Sequence, residues 1–296
     1  MPNDPYSKGR FEGLQISFSH VVATKAVNEA VLRHQCDPPA AHLLGRAMAG
    51  TLLATAILPT NHRLNAYWHY HGALRTIVVD AGTDGSVRAF IAPPHLSDSA
   101  DGEALYGEMG DLQLVVSAPD GKIVSSGTTP VALHDVVDDL AYHYALSEQI
   151  ETAMVVMIGF QPDTSNPVRI CRGWMIQALP ECDLERFERI RKRMGEPMFR
   201  KQLAEGCGDE KEIADLLAKD ENDFKGIYSE KVASPHFRCN CSKEKMGAVL
   251  RSLPIPERME LVKEGKPVAI RCQFCNQLHE LSLDECMRAW NSHPDQ

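Results

Sequence analysis

Long apolar runs are missing from this chain. The longest candidate, Ala47 to Leu58, is broken by Gly50, Thr51 and Thr55, whereas a membrane-spanning helix needs roughly 18 or more consecutive apolar residues. No membrane partner is expected. The opening stretch Met1-Pro2-Asn3-Asp4-Pro5 has neither the basic-then-apolar pattern of a secretory signal nor an Arg-rich transit pattern, which points to the cytoplasm. A surplus of positive charge is also lacking: 31 Lys and Arg face 40 Asp and Glu, a formal net charge of −9. Neutralising a phosphate backbone requires a clustered cationic surface, so nucleic acid is disfavoured as the principal partner. No glycine-rich phosphate loop follows a predicted strand. Nothing marks a nucleophile or a catalytic pocket either, so no enzymatic activity is expected.

What the chain does have is apolar material, 44% over 296 residues, enough to bury a core in one large domain plus a smaller one. It also has nine cysteines. An odd number without a secretory signal does not suggest an extracellular disulfide framework, and metal binding or redox chemistry is the better use. Four of them form two short pairs, Cys239-Asn240-Cys241 and Cys272-Gln273-Phe274-Cys275, separated by the 30 residues Ser242 to Arg271. Each pair presents two thiolates from one loop, and together they supply the four ligands of a tetrahedral structural zinc site, one ion per chain. The stretch between them has room for a helix and a hairpin.

The chain before these pairs reads as α+β. Leu14, Ile16 and Phe18 alternate with polar neighbours as in a half-buried strand. A helix is expected from Thr24 to Arg33, and Asp37 before Pro38 caps a second, Ala- and Gly-rich helix that ends before Pro59. The period then changes to two. Leu64 to Tyr70 and Leu74 to Asp80 read as a hairpin, Val87 to Ile91 as a third strand, and Leu112 to Ala118 with Lys122 to Ser126 as another hairpin around Pro119-Asp120-Gly121. Leu133 to Leu146 is predicted helical, and Met154 to Phe160 and Val168 to Ala178 are predicted strands. Adjacent hairpins with a few helices argue for an antiparallel sheet packed with helices over 1–180, not a doubly wound parallel fold.

At Leu179-Pro180 the composition shifts. The 51 residues from Glu181 to Lys231 hold fourteen acidic and eleven basic side chains, leaving narrow helical stripes of Leu184, Phe187, Ile190 and Met194, then Ile213, Leu216 and Leu217. Helices with so little apolar area to dock are expected to be marginally stable. Segment 181–231 is therefore either a solvated helical linker or a deliberately metastable element. Segment 232–296 carries the paired cysteines and is nearly neutral, with nine basic and eight acidic residues.

Zinc holds thiolates, and thiolates are what oxidants attack. Disulfides within each pair, Cys239–Cys241 and Cys272–Cys275, would close tiny loops and leave the two halves of 232–296 untied, whereas cross-pair disulfides would keep the tie. In the untied case the segment unfolds, the charged stretch loses its support, and apolar surface on the preceding domain is uncovered.

Here the residues carry a resemblance. The CxC followed by Ser242-Lys243-Glu244-Lys245, then Leu250 and Leu253, the CxxC at Cys272 and the Leu-His-Glu-Leu at 278–281 resemble the C-terminal part of the 33-kilodalton redox-regulated heat-shock chaperone family. The likeness extends upstream through Leu74 to Asp80 with Val87-Arg88, Asp139-Leu140-Ala141-Tyr142 with Ser147-Glu148-Gln149, and Trp174 to Pro180. The resemblance implies a cytosolic, ATP-independent holdase that binds unfolding client proteins. Such a protein is inactive with zinc bound, is activated by disulfide formation and linker unfolding, and is commonly a homodimer when oxidised. By motif, Cys239, Cys241, Cys272 and Cys275 are both the zinc ligands and the redox-switch cysteines. Lys245 stands where the family pattern has Arg, and Leu278-His279 replaces an aromatic-containing segment, but neither change touches a ligand. Cys36, Cys171, Cys182, Cys207 and Cys286 have no transferable role and read as ordinary thiols. Cys182 and Cys207 lie in the charged segment, where mixed disulfides are conceivable.

Other groupings read as structural. His69 and His71 lack a third partner at ligand spacing. Asp135, Asp138 and Asp139 with His134 and His143 read as an exposed helical face. Two rival functions are kept. A zinc-ribbon regulator of nucleic acid predicts salt-dependent binding by the zinc-loaded form, which the near-neutral 232–296 segment argues against. An enzyme with its site in 1–180 predicts that Cys→Ser changes at the ligands destabilise the protein without any gain of client binding.

Overall fold

Two largely antiparallel sheets share one buried helix in the first of the two units into which the chain divides, Met1–Arg238 and Cys239–Gln296. A computed structural model describes residues 4–96 and 102–291. The first sheet takes its strands from β1 (Tyr6–Phe11), β2 (Ile16–Val22), β8 (Thr152–Phe160), β9 (Val168–Ala178) and β10 (Ile227–Lys231), in the order β10-β1-β2-β9-β8. The second has β3 (Arg63–Tyr70), β4 (Thr76–Gly82), β5 (Ser86–Ala92), β6 (Gly110–Ser117), β7 (Ile123–Pro130) and β11 (His236–Phe237), in the order β11-β5-β4-β3-β6-β7. Every neighbouring pair is antiparallel except β11 with β5. Helices α1 (Thr24–His34), α2 (Pro38–Thr55), α3 (Gly102–Tyr106) and α4 (Val136–Ser147) complete this part.

Helix α2 packs against strands of both sheets, which explains its composition. Asp37 caps it by accepting from the Ala40 N–H, with proline in the first turn. Leu44, Leu52 and Leu53 are fully buried, each stabilising the fold by roughly 1.5–3 kcal/mol relative to exposure. The small residues let flanking elements close in: a Cβ on Gly45 would stand 2.7 Å from Ile158 Cδ1 and 2.9 Å from Val27 Cγ1.

The first sheet is covered on both faces. Inward lie Val21, Cys171 and Met175, in the core that includes α2. Outward lie Ile16 and Phe18 of β2 and Trp174 and Ile176 of β9, with Phe18 opposite Ile176 and the Phe18 and Trp174 rings stacked at 4.9 Å. This outer face is covered by α5 (Leu184–Met194), α6 (Pro197–Glu205) and α7 (Glu210–Ala218), which bury Phe187, Ile190, Met194, Phe199, Leu203, Ile213 and Leu217. The charged segment therefore has more apolar area than its composition suggests. Its charges also pair with one another, for Glu221 receives Arg186, Arg189 and Arg193. Segment 181–231, read from the sequence as a linker separate from 1–180, lies within the first unit, which extends past Val232 to Arg238. The reason is strand pairing: β10 continues the first sheet beside β1, and β11 pairs with β5.

The second unit holds α8 (Lys243–Val249), a single 3-10 turn at Leu250–Ser252, α9 (Ile255–Glu264), the hairpin β12 (Val268–Arg271) with β13 (Leu278–Leu281), and α10 (Leu283–Asn291). Its core is small: Leu250, Leu281 and Cys286 are its buried members, with Met246, Leu253, Val268, Ile270 and Trp290 packed around them. Helix α9 buries none of its residues.

Candidate metal centre

The hairpin of the second unit exists to make a turn. Strands β12 and β13 pair from Val268↔Leu281 to Arg271↔Leu278, so the six residues between them, Cys272 to Gln277, form the loop that carries the CxxC. Cys272 donates its N–H to the Gln277 carbonyl at 2.9 Å, Asn276 donates to the Cys272 carbonyl at 2.8 Å, and Asn276 takes the left-handed conformation at φ 60 that the tight turn requires. Cys239 and Cys241 precede α8, whose N-cap Ser242 accepts from the Lys245 N–H. The Lys245 ammonium donates to the Asn240 carbonyl at 2.7 Å, bracing the residue between the two sulfurs.

All four sulfurs lie within 4.8 Å of one another. Cys239 Sγ stands 3.8 Å from Cys272 Sγ, and Cys241 Sγ 3.4 Å from Cys275 Sγ. Metal–sulfur bonds of ~2.3 Å in a tetrahedron place sulfurs ~3.8 Å apart, so the residues fit a thiolate-bound cation. Electrostatics agree. Burial first, with neighbouring sulfurs adding to it, pushes the Cys275 thiol well above the ordinary range, opposed by the Gln277 backbone N–H. The Cys241 thiol is also raised, chiefly by burial. Four thiolates at this spacing need a positive charge among them. Cys272 and Cys275 are buried while Cys239 and Cys241 are half-buried, so the site opens to solvent on the CxC side.

Sequence reasoning brought these four residues together and missed a fifth contact: buried His279 places Nε2 3.3 Å from Cys241 Sγ. Its only sequence signal is alternation along β13, which turns His279 and Leu281 inward. The remaining cysteines stand apart. Burial pushes Cys171 up to about 12, and burial with the Asp37 charge pushes Cys36 up to about 12. Cys286 is fully buried in the small core, Cys182 is half-buried, and Cys207 is exposed.

The helical face of acidic residues and histidines is exposed only in part, at His134 and Asp138. Asp139 and His143 are buried: Asp139 accepts the Leu133 N–H at 2.9 Å, and His143 shares a hydrogen bond with Thr129 at 3.0 Å. Asp135 caps α4 and pairs two-pronged with Arg46 of α2. The exposed-face reading failed for Asp139 and His143 because α4 packs against α2, β8 and β7. His69 faces Asp111 across the β3–β6 pair at 3.6 Å, but among the described residues only the four cysteines converge as a metal-holding group.

Comparison with known proteins gives the lineage. The sequence model of the Hsp33 protein family matches residues 4–282. This chain belongs to the Hsp33 family. A 33 kDa chaperonin of Clostridium botulinum strain Langeland is 31% identical over 279 residues, covering 92% of each chain. One from Enterococcus faecalis is 30% identical over 278 residues, with 90% of this chain and 89% of the relative covered. The crystal structure of an Hsp33 homologue from Thermotoga maritima superposes with a TM-score of 0.81 over 97% of both chains at 23% identity, which bears on the fold. The chain is thus an Hsp33-family chaperone of α+β fold with a four-cysteine cluster positioned to hold a metal ion. Among the described residues, no helix is long and apolar enough to cross a membrane.

Proposed function

We propose that this chain is a redox-regulated, ATP-independent holdase that is inactive when reduced and zinc-loaded. The observation that carries the reading is the convergence of four cysteine sulfurs, drawn from both sides of a 30-residue gap, in a unit whose apolar cluster has three buried members among the described residues. Cys239, Cys241, Cys272 and Cys275 hold one zinc ion as thiolates; when bound, it supplies the charge and the cross-link that the unit's apolar core cannot.

Oxidation consumes the ligands. Each disulfide takes two electrons from a pair of thiolates and, with two protons from solvent, reduces one hydrogen peroxide to two waters by way of a sulfenic acid, leaving those two sulfurs unable to hold the metal. Disulfides within each short pair, Cys239–Cys241 and Cys272–Cys275, leave the two halves of the unit untied. Chain connectivity passes the change on, since β10 and β11 lead directly into Cys239. Release of α5–α7 then uncovers the outer face of the first sheet, including Ile16, Phe18, Trp174 and Ile176, an apolar surface suited to unfolding clients. The reading makes the protein a cytoplasmic binding protein, not an enzyme or a nucleic-acid regulator, and a homodimer when oxidised.

Peroxide applied under mildly unfolding conditions should release one zinc per chain, and the product should suppress aggregation of a thermally unfolding client. An oxidised, zinc-free protein that suppresses no aggregation would overturn the proposal.

A further inference from the structure

The outer face of the first sheet is not apolar throughout. Beyond Ile16 and Phe18, β2 places His20 in the same alternation, and beyond Ile176 and Trp174, β9 places Arg172 there, with His20 directly opposite Trp174. Both are buried, His20 at 2% and Arg172 at 4% exposure, beside a cavity of about 580 Å³ at the loop joining α6 to α7. Arg172 uses all its nitrogens. Nε donates to His20 Nε2 at 2.9 Å, Nη1 to the Cys207 carbonyl and Nη2 to the Gly208 carbonyl, both at 2.8 Å. Gly206 and Gly208 take left-handed conformations, at φ 73 and φ 76, which turn the loop toward that guanidinium. Glu210, the first residue of α7, accepts from Ser7 of β1 at 2.5 Å and from Ser229 of β10 at 2.6 Å, and meets His20 Nδ1 at 3.3 Å.

Arginine can only donate, so the Arg172 contact fixes His20 Nε2 as the acceptor and leaves the proton on Nδ1, which donates to Glu210. The neutral ring is therefore built into the arrangement. A second proton would have to sit on Nε2, where it would face the Arg172 Nε–H. The guanidinium cannot retreat without giving up the Cys207 and Gly208 carbonyls.

The geometry points to a latch: His20, Arg172 and Glu210 clamp the α6–α7 loop onto four strands of the first sheet, and mild acid opens that latch without oxidation. The charged and titratable groups facing it are Arg172 of β9, Glu210 of α7, Asp209 just before α7, and Lys211 across the cavity, while the Trp174 ring and the Ser7 and Ser229 hydroxyls close the remaining sides. Burial, then the Arg172 charge, lowers His20 below the ordinary imidazole value, opposed by Glu210. Hydrogen bonds from His20, Ser229 and Ser7 hold Glu210 down to about 2 against its own burial. Both groups bind protons more readily in the released state. Acid therefore weakens the latch first through His20, below ~6.5, and only further down through Glu210, below ~4.3. Its consequence for client capture rests on the proposed function, but opening can be read without any client.

Hydrogen exchange of peptides spanning 206–218, in the reduced, zinc-loaded full chain and corrected for intrinsic chemistry, should show the opening constant rising up to about tenfold per pH unit below ~6.5. His20→Gln keeps one acceptor for Arg172 and one donor for Glu210 but cannot titrate, so its exchange should stay flat over the same interval. Equal slopes in both proteins, or no slope in the parent, would overturn the latch. Imidazole NMR of the parent provides a test independent of the variant's folding. His20 should be the Nδ1–H tautomer at pH 7 and titrate below the ordinary imidazole value of ~6.5, whereas an Nε2–H tautomer or a titration at or above that value contradicts the assignment.

Discussion

The two units solve the problem of cohesion by different means. The first buries an 18-residue helix between two sheets and covers the outer face of one sheet with three more helices, so its stability rests on apolar contact. Among the described residues the second unit's apolar cluster has three buried members, α9 buries none of its residues, and four sulfurs come together that repel one another as thiolates unless a cation joins them. One unit rests on many replaceable contacts, whereas the other has a small apolar cluster beside four cysteines positioned to hold one metal ion. A removable centre suits a switch, and in the proposed function the surface to be uncovered belongs to the first unit.

The contrast is broken most severely at the metal. Chelation of a zinc-loaded sample, or Cys272→Ser, should withdraw folding free energy of about 10–16 kcal/mol from the second unit. Exchange of 239–291 should then become that of unfolded chain while α2 keeps its protection. Survival of the second unit without metal would mean that its small core suffices. The next test compares two fully buried side chains in the first unit. Leu44→Ala in α2 and Ile190→Ala in α5 should each cost about 2–5 kcal/mol. Denaturant melts of Leu44→Ala should show the whole first unit weakened, whereas exchange in Ile190→Ala should rise mainly over 181–218. Equal global losses would make the outer helices an integral part of the core.

A smaller effect separates inner from outer chemistry by pH. Burial, reinforced by the Asp135 charge, raises the Asp139 carboxyl to about 6, though the Leu133 N–H opposes it. A carboxyl raised on folding contributes full stability below its unfolded value of ~3.9 and loses it as pH climbs through about 6. This response is opposite in sign to that of the His20 latch. Asp139→Asn keeps an acceptor for Leu133 and should be the more stable protein at pH 8 by on the order of 1 kcal/mol, the difference vanishing in acid. Thermal melts across pH check this, and a parent that is the more stable at pH 8 would reverse the sign.

Legibility in the sequence followed the same division. Val168–Ala178 emerges as a strand with the bounds expected from its apolar pattern, and the Asp37-Pro38 cap opens α2 where the sequence placed it. Strands β1 and β10 were not foreseen, because Tyr-Ser-Lys-Gly-Arg-Phe and Ile-Tyr-Ser-Glu-Lys lack alternation and are held by pairing with their neighbours. The cysteine cluster was legible because ligand spacing is local within each pair. His279 and the His20–Arg172–Glu210 arrangement depend on strand register and on a loop folding back, which no short stretch encodes. The charged segment misled for a related reason: Phe187, Ile190, Phe199, Leu203 and Leu217 come from three helices and form one surface only when those helices pack.

In the proposed switch, oxidation at the second unit frees the outer helices of the first while its inner core stays intact. Hydrogen exchange of one sample before and after peroxide, with released zinc measured in parallel, tests it most directly. Protection across α5–α7 should be lost in step with zinc release, with α2 and the strands packed on it unchanged. Retained protection across α5–α7 in a zinc-free, client-binding protein would contradict it.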